Sequence, residues 1–132
     1  MSDRPAPAKY IEREFHDEAR EFYRRLAAGE LATTRCPACE RTSFPPRLRC
    51  PACGGDQEWV ELPRVGRLHA FTTQEMSLRF RAPAVLALAE VGEVVLPGIA
   101  DAPYEELSIG QEVRVEPRPE PETGLTLLAF VP

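Results

Sequence analysis

The chain has 132 residues, a formal net charge of -5 and 43% hydrophobic residues. This length allows one compact domain or two small modules, and no stretch approaches the run of about 20 apolar residues that a membrane-spanning helix needs. The acidic balance argues against a general affinity for nucleic-acid phosphates. We therefore expect a soluble protein, and the lack of an apolar signal segment at residues 1–9 predicts that it is cytoplasmic.

Residues 1–10 are polar and rich in Pro and Ala, which predicts a flexible tail. From residue 11 to residue 28, apolar residues recur at helical spacing, and Gly29 ends the pattern. We predict an amphipathic helix here, followed by an extended approach up to residue 35. Its apolar stripe either packs on its own domain or docks on another protein or ligand. The stripe consists of Phe15, Ala19, Phe22, Tyr23 and Leu26.

The only four cysteines of the chain lie in two Cys-Pro-Ala-Cys motifs separated by ten residues. Each motif stands in a tight turn, which lets its two sulfurs point the same way. Two such turns facing each other supply four thiolates to one tetrahedral ion. We therefore predict a zinc ribbon over residues 36–62, with the zinc bound by Cys36, Cys39, Cys50 and Cys53.

Iron, disulfides and a site without metal are the alternatives for these cysteines. A shell of four thiolates also accepts iron. Disulfides would need an oxidising compartment, and a redox-active CxxC motif usually occurs singly. Four thiolates leave no open position on the ion, so a zinc ion here would be structural and would not activate a nucleophile.

The segment between the two motifs contains Phe44, Pro45, Pro46 and Arg47. Consecutive prolines stiffen this path. The segment is either the ordinary connecting strand of a ribbon or a rigid contact surface in which Arg47 attracts an anion. Residues 30–53 carry four arginines against two glutamates, so the ribbon is a basic region of an acidic protein.

Residues 63–132 have the pattern of an all-β module. Five short strands in about 70 residues favour a small closed barrel of the OB type, because closure removes exposed strand edges. The predicted strands lie at residues 65–73, 84–91, 94–100, 111–116 and 123–131, with a two-residue turn at 92–93 and a helical turn at 104–107.

Three details of this module are also predicted. The strand at 84–91 is apolar on both faces, which is typical of a central strand. Residues 117–122 alternate proline with charge and should form a stiff, solvated excursion. In the last strand, one apolar face should consist of Leu125, Leu127, Ala129 and Val131.

The order of these features resembles the zinc-ribbon/OB-fold acyl-CoA-associated family, also known as domain of unknown function thirty-five. The resemblance implies a mainly β fold with an N-terminal helix, a rubredoxin-like zinc ribbon (36–62) and a five-stranded OB-type barrel (63–132). Glu40 and Arg41 depart from the family at a turn that often has a glycine, so we expect strain there. The matching residues are Phe22, Tyr23, Gly29, Glu30, Leu31, the four cysteines, Phe44, Pro45, Pro46, Arg47, Gly54, Trp59, Val65, Gly66 and the segments 85–90 and 107–113.

The resemblance also implies a function, that of a non-catalytic partner of thiolase-superfamily enzymes such as thiolases and aldolases. This chain would join a thiolase-like catalytic subunit in a hetero-oligomer, bridge catalytic chains and help form the channel for CoA or acyl-CoA. It would have no activity alone, and acyl-CoA would be a shared ligand. The expected acyl-CoA or partner contacts are Phe15, Phe22, Tyr23, Phe44, Pro45, Pro46 and Arg47.

Two other functions fit parts of the sequence. The barrel could bind acyl-CoA by itself as a free-standing binding protein, hydratase or hydrolase. Zinc ribbons and OB barrels also bind nucleic acids, although acidic residues such as Glu112 and Glu116 on the barrel argue against this role. The chain has neither a Gly-rich phosphate loop nor a paired-acid motif, and we assign no catalytic role to His16 or His69.

Overall fold

In a computed structural model of the protein, residues 17–76, 82–121 and 124–132 are described. None of the helices in these ranges is long and apolar enough to cross a membrane. The predicted tail and the predicted helical residues 11–16, including Phe15, lie outside the described residues. The elements are α1 (Asp17–Ala27), β1 (Ala32–Arg35), β2 (Thr42–Ser43), β3 (Glu58–Glu61), β4 (Val65–Gln74), β5 (Ala84–Val91), β6 (Val94–Ala100), a 3-10 turn (Tyr104–Glu106), β7 (Glu112–Pro119) and β8 (Thr126–Val131).

The helix α1 ends at Ala27, and the turn that follows it contains Gly29, the residue predicted to end the helical pattern. Gly29 has a φ of 90°, which a residue without a side chain adopts at little cost, and the backbone N–H of Glu30 donates to the carbonyl of Arg25 (2.8 Å). The helix packs against β1, β7 and β8. Phe22 is 0% exposed and Leu26 is 1% exposed, and both belong to the same core as the barrel residues. The described part of this stripe therefore packs on its own fold, which is the first of the two alternatives.

The ribbon is a three-stranded antiparallel sheet in the order β2-β1-β3. Its central strand β1 is almost fully buried, and two threonines on it tie down the neighbouring loop. The Thr33 hydroxyl donates to the carbonyl of Ser43 (2.5 Å), and the Thr34 hydroxyl accepts from the backbone N–H of Arg47 (2.8 Å). Burying these hydroxyls is tolerated because each one has a partner.

Strands β4 to β8 form a closed barrel in the order β4-β5-β6-β8-β7, which confirms the predicted OB-type architecture. The β5–β6 hairpin has the predicted bounds, and its turn begins at Gly92, whose φ is 60°. Strands β6 and β8 pair in parallel, whereas every other pairing in the barrel is antiparallel. The interior is filled mainly by Leu68, Val91, Leu96, Val113, Val115, Leu128 and Phe130.

Strand β8 differs from the prediction in which of its side chains face the core. Leu128 and Phe130 belong to the core, whereas Leu127 and Val131 are only half-buried. Ala129 and Phe130 are both 0% exposed, and neighbouring residues of a strand point to opposite faces. Strand β8 is therefore covered on both faces, so its hydrophobic pattern could not show which face is internal.

The predicted excursion at residues 117–122 is wrong for its first three residues. Pro117 and Pro119 belong to β7 and lie opposite Leu128 and Thr126 of β8. The N–H of Val115 points the other way, to the carbonyl of Arg64 (2.8 Å) just before β4 begins. By the alternation of a strand, the backbone nitrogens of residues 117 and 119 face that same side, beyond the first residue of β4, where no residue of β4 lies opposite them. Proline therefore loses no hydrogen bond at these positions.

Candidate metal centre and contact surfaces

The four cysteines converge in the ribbon, with all four sulfurs within 4.8 Å of one another. The sulfurs of Cys36 and Cys53, one from each motif, are 3.7 Å apart. A tetrahedral zinc ion with Zn–S bonds of about 2.3 Å requires sulfurs about 3.8 Å apart, so this set fits zinc. Cys36 and Cys50 are buried, whereas Cys39 and Cys53 are exposed.

Two similar turns hold these sulfurs, a first knuckle (residues 36–41) and a second knuckle (residues 50–55). In the first, the N–H of Glu40 donates to the carbonyl of Cys36 (2.7 Å), and in the second the N–H of Gly54 donates to that of Cys50 (2.8 Å). Each knuckle is closed by a return bond from the N–H of its first cysteine, to the carbonyl of Arg41 or of Gly55 (both 2.9 Å). The two turns therefore repeat one backbone conformation.

The knuckles differ where this conformation needs a positive φ. Gly54 adopts it at 74°, whereas in the first knuckle Glu40 adopts it at 59° and is the only non-glycine residue with positive φ among those described. A side chain in this region costs about 1–2 kcal/mol. The strain expected at this turn is therefore present at Glu40.

Hydrogen bonds and crowding shift the pKa values of two of the thiols in opposite directions. Backbone N–H groups of Cys53 and Ala52 hydrogen-bond to the Cys50 sulfur and lower the pKa of this thiol to about 6. Contacts with the sulfurs of Cys53 and Cys50 raise the pKa of Cys39 to about 12. Four thiols at this spacing do not all ionise readily by themselves, because the resulting thiolates repel one another. A divalent cation between them offsets this repulsion.

The predicted contact residues occupy different environments. Phe22 is fully buried, so it is not on a surface that a partner could reach, and Pro46 is also buried. Tyr23 and Phe44 are half-buried against the core. Pro45 and Arg47 are exposed, and no acidic side chain among the described residues pairs with Arg47. Among the described residues of this set, the ones exposed to solvent are therefore Pro45 and Arg47, in the loop at residues 44–47.

A side-chain network around Arg25 was not predicted. The Arg25 guanidinium lies 4.2 Å from the centroid of the Trp59 ring and bonds to the carboxylates of Glu21 (2.9 Å) and Glu30 (2.6 Å). These carboxylates, with the Glu30 bond as the larger cause, raise the Arg25 pKa. The network attaches the helix to strand β3 of the ribbon. The only sequence signal for it was the i, i+4 spacing of Glu21 and Arg25.

An apolar surface on the β5–β6 hairpin was also missed. Leu88 is 39% exposed and lies opposite Pro97, while Val95 is 42% exposed on the same outer face. Leu86 and Ile99 continue this face as another cross-strand pair. We call these five residues the hairpin face. The available sequence signal is the apolar character of both sides of the strand at 84–91, which is also typical of a central strand.

Both modules of the chain match models of known protein families. The chain matches the family model for the rubredoxin-like zinc ribbon domain of ChsH2 over residues 24–59, and the model for the C-terminal OB-fold domain of ChsH2 over residues 59–118. No protein with a curated description matches the sequence significantly.

Two solved structures are similar to the whole chain. One is described as an Ltp2-ChsH2(DUF35) aldolase, with 26% identity, a TM-score of 0.77 and 98% of each chain covered. The other is a protein of unknown function of the DUF35 family from Sulfolobus solfataricus, with 18% identity and a TM-score of 0.61, covering 94% of this chain and 92% of that one. The second likeness concerns the fold alone. With a ChsH2-type ribbon followed directly by a ChsH2-type OB fold, the chain belongs to the DUF35 family.

Proposed function

We propose that this chain is the accessory subunit of a thiolase-like aldolase and that the catalytic residues belong to its partner. The observation that carries this proposal is the likeness over 98% of both chains to a component of the Ltp2-ChsH2(DUF35) aldolase. The likeness includes the helix, the ribbon and the barrel, so it concerns the whole subunit and not one widespread module. The proposed complex is cytoplasmic.

The chemistry of the ribbon supports an accessory role. Four thiolates complete a tetrahedral shell, so the proposed zinc has no open position for substrate and acts as a structural ion. His69, the histidine that the structure describes, is exposed and its Nδ1 lies 3.0 Å from a carboxylate oxygen of Glu90 on the neighbouring strand. Such an exposed pair is an ordinary surface contact.

The hairpin face supports docking of a catalytic subunit. Four of its five apolar residues form the cross-strand pairs Leu86–Ile99 and Leu88–Pro97 on the outer side of the barrel, where a free-standing barrel usually presents polar residues, and Val95 lies opposite the exposed Glu90. An interface core is typically an apolar patch of this kind. Glu93 in the hairpin turn is exposed beside it and provides an acidic position for the rim.

The loop at residues 44–47 supports a role near CoA. Arg47 is exposed, and its backbone N–H donates to the Thr34 hydroxyl. Because the backbone is already held, binding a ligand here loses little backbone entropy. Arginine recognises phosphate through paired N–H donors. We propose that Arg47 contacts a phosphate of CoA while the catalytic subunit holds the acyl group, which is how this chain would complete the channel.

The test is coexpression of the chain with a thiolase-like protein of the same host, followed by size-exclusion chromatography and a retro-aldol assay. We expect a stable complex with activity that neither chain shows alone. Replacing Leu88 and Val95 together by Asp should weaken the complex by about a hundredfold, at roughly 1.4 kcal/mol for each buried anchor.

The matched control is Met76→Asp, which adds the same charge at an apolar residue that is 83% exposed and outside the hairpin face. It should leave the complex unchanged. Absence of any complex, or turnover of an acyl-CoA by this chain alone, would contradict the proposal. The second result would favour a free-standing acyl-CoA enzyme.

A further inference from the structure

The four sulfurs of the ribbon differ in their access to solvent. The first cysteine of each knuckle is buried, Cys36 at 0% and Cys50 at 3% exposure, whereas Cys39 and Cys53 are exposed. A reagent in solution can therefore reach only the second cysteine of each knuckle. Because the two knuckles share one backbone conformation, Cys39 and Cys53 are equivalent positions within one molecule.

The sulfurs of Cys39 and Cys53 differ in their hydrogen bonds. Three of the four cysteine sulfurs accept a hydrogen bond from a backbone N–H: Cys36 from Cys39 (3.3 Å), Cys50 from Ala52 (3.4 Å) and Cys53 from Gly55 (3.4 Å). Within the described residues, no backbone N–H donates to the sulfur of Cys39. The donor that corresponds to Gly55 would be Arg41, which follows the strained residue Glu40.

A hydrogen bond to a thiolate stabilises its charge and lowers its reactivity as a nucleophile. The Cys39 thiolate lacks this stabilisation and is exposed, and these two properties together decide which sulfur reacts first. We propose that Cys39 is the site at which this ribbon is modified by soft electrophiles, including hydrogen peroxide, and that its modification releases the zinc. The inference goes beyond the accessory role and depends on the zinc proposed for these four cysteines.

The chemistry balances without a further reactant. With a maleimide, the Cys39 sulfur lone pair forms an S–C bond to the alkene, the resulting enolate takes a proton from water, and the thioether no longer holds zinc as a thiolate does. With hydrogen peroxide, the sulfur forms an S–O bond, the O–O bond breaks and hydroxide leaves. The Cys53 thiolate then displaces hydroxide from the Cys39 sulfenic acid and forms a disulfide, so two thiolates are oxidised as one peroxide is reduced.

The experiment uses the full zinc-loaded chain and substoichiometric N-ethylmaleimide. Peptide mass spectrometry measures labelling at each cysteine, and a chromogenic chelator measures zinc release in the same samples. We expect Cys39 to be labelled about fivefold faster than Cys53, its internal control, as the loss of one hydrogen bond to a thiolate predicts. Zinc should leave in step with the labelling of Cys39.

The variant Glu40→Gly makes the two knuckles alike and lets the Arg41 N–H approach Cys39, so the two rates should come within about twofold of each other. Faster labelling of Cys53, equal rates in the native chain, or zinc retained after Cys39 is fully labelled would overturn the proposal. A rate ratio that Glu40→Gly leaves unchanged would also overturn it. If the chain is purified without zinc, the metal site itself is refuted as well. Failure of the metal site can therefore be distinguished from failure of the Cys39 proposal.

Discussion

The rings of Phe22 and Phe44 meet edge to face, with their centroids 4.8 Å apart and their planes inclined by 71°. One ring belongs to α1 and the other to the loop between the knuckles, so this contact joins the helix to the ribbon. Tyr23 adds a second edge-to-face contact to Phe22 at 5.0 Å. The helix is thus part of the hydrophobic core and is not a separate docking arm.

Replacing Phe22 by Ala should destabilise the whole chain. Removing a fully buried phenylalanine costs about 3–5 kcal/mol, a large share of the stability of a small domain. Chemical denaturation monitored by circular dichroism measures this loss. Arg24→Ala, which changes an exposed residue on the same helix, is the matched control and should alter the stability by less than about 0.5 kcal/mol. A Phe22→Ala chain of native stability that fails only to bind its partner would contradict the core assignment.

Replacing Glu40 by Gly should stabilise the ribbon. The change removes a side chain from a backbone with a φ of 59°. It also removes an exposed ion pair with Arg35 (3.7 Å), which contributes little. We expect a net gain of about 0.5–1 kcal/mol in thermal or chemical unfolding. Glu40→Ala loses the same ion pair without relieving the backbone and should show no gain, and equal stabilisation by both variants would refute the strain argument.

Replacing Cys50 by Ser should remove zinc binding and unfold the ribbon. Cys50 is buried among the ligands, and serine is a poor ligand for zinc at neutral pH. Elemental analysis of the purified variant measures the zinc, and near-ultraviolet circular dichroism of Trp59 in β3 reports on the ribbon. Removing zinc from the native chain with a strong chelator should produce the same spectrum. A variant that keeps its full zinc content and spectrum would contradict the structural role of the site.

Replacing Gly98 by Ala should disturb the contact between β6 and β8. A Cβ atom at this position would lie 2.7 Å from the carbonyl oxygen of Leu128 and 2.8 Å from the Phe130 ring. Because a strand carbonyl and a fully buried ring cannot move freely, we expect a loss of about 1–3 kcal/mol in unfolding free energy. Pro97→Ala, at the exposed neighbouring position of β6, is the control. Equal stability of Gly98→Ala and the native chain would show that β6 can shift away from β8.

The elements that were predictable are those set by local sequence. The metal ligands followed from two CxxC motifs within 18 residues, and the β5–β6 hairpin followed from Gly92 between two apolar runs. Which residues of β8 point into the barrel, and where the apolar stripe of the helix packs, depend on contacts with distant parts of the chain. Both faces of β8 are buried, so its alternation carried no information about the interior. The strand position of Pro117 was missed because it depends on where β4 begins.

The central claim is that the chain completes an enzyme whose catalytic residues lie on another subunit. It is tested most directly by purifying the tagged chain from its native host and analysing the eluate by mass spectrometry together with its zinc content. We predict recovery of a thiolase-like protein in a fixed stoichiometric ratio, with one zinc ion per copy of this chain. Recovery of the chain alone, with its zinc bound, would contradict the accessory role.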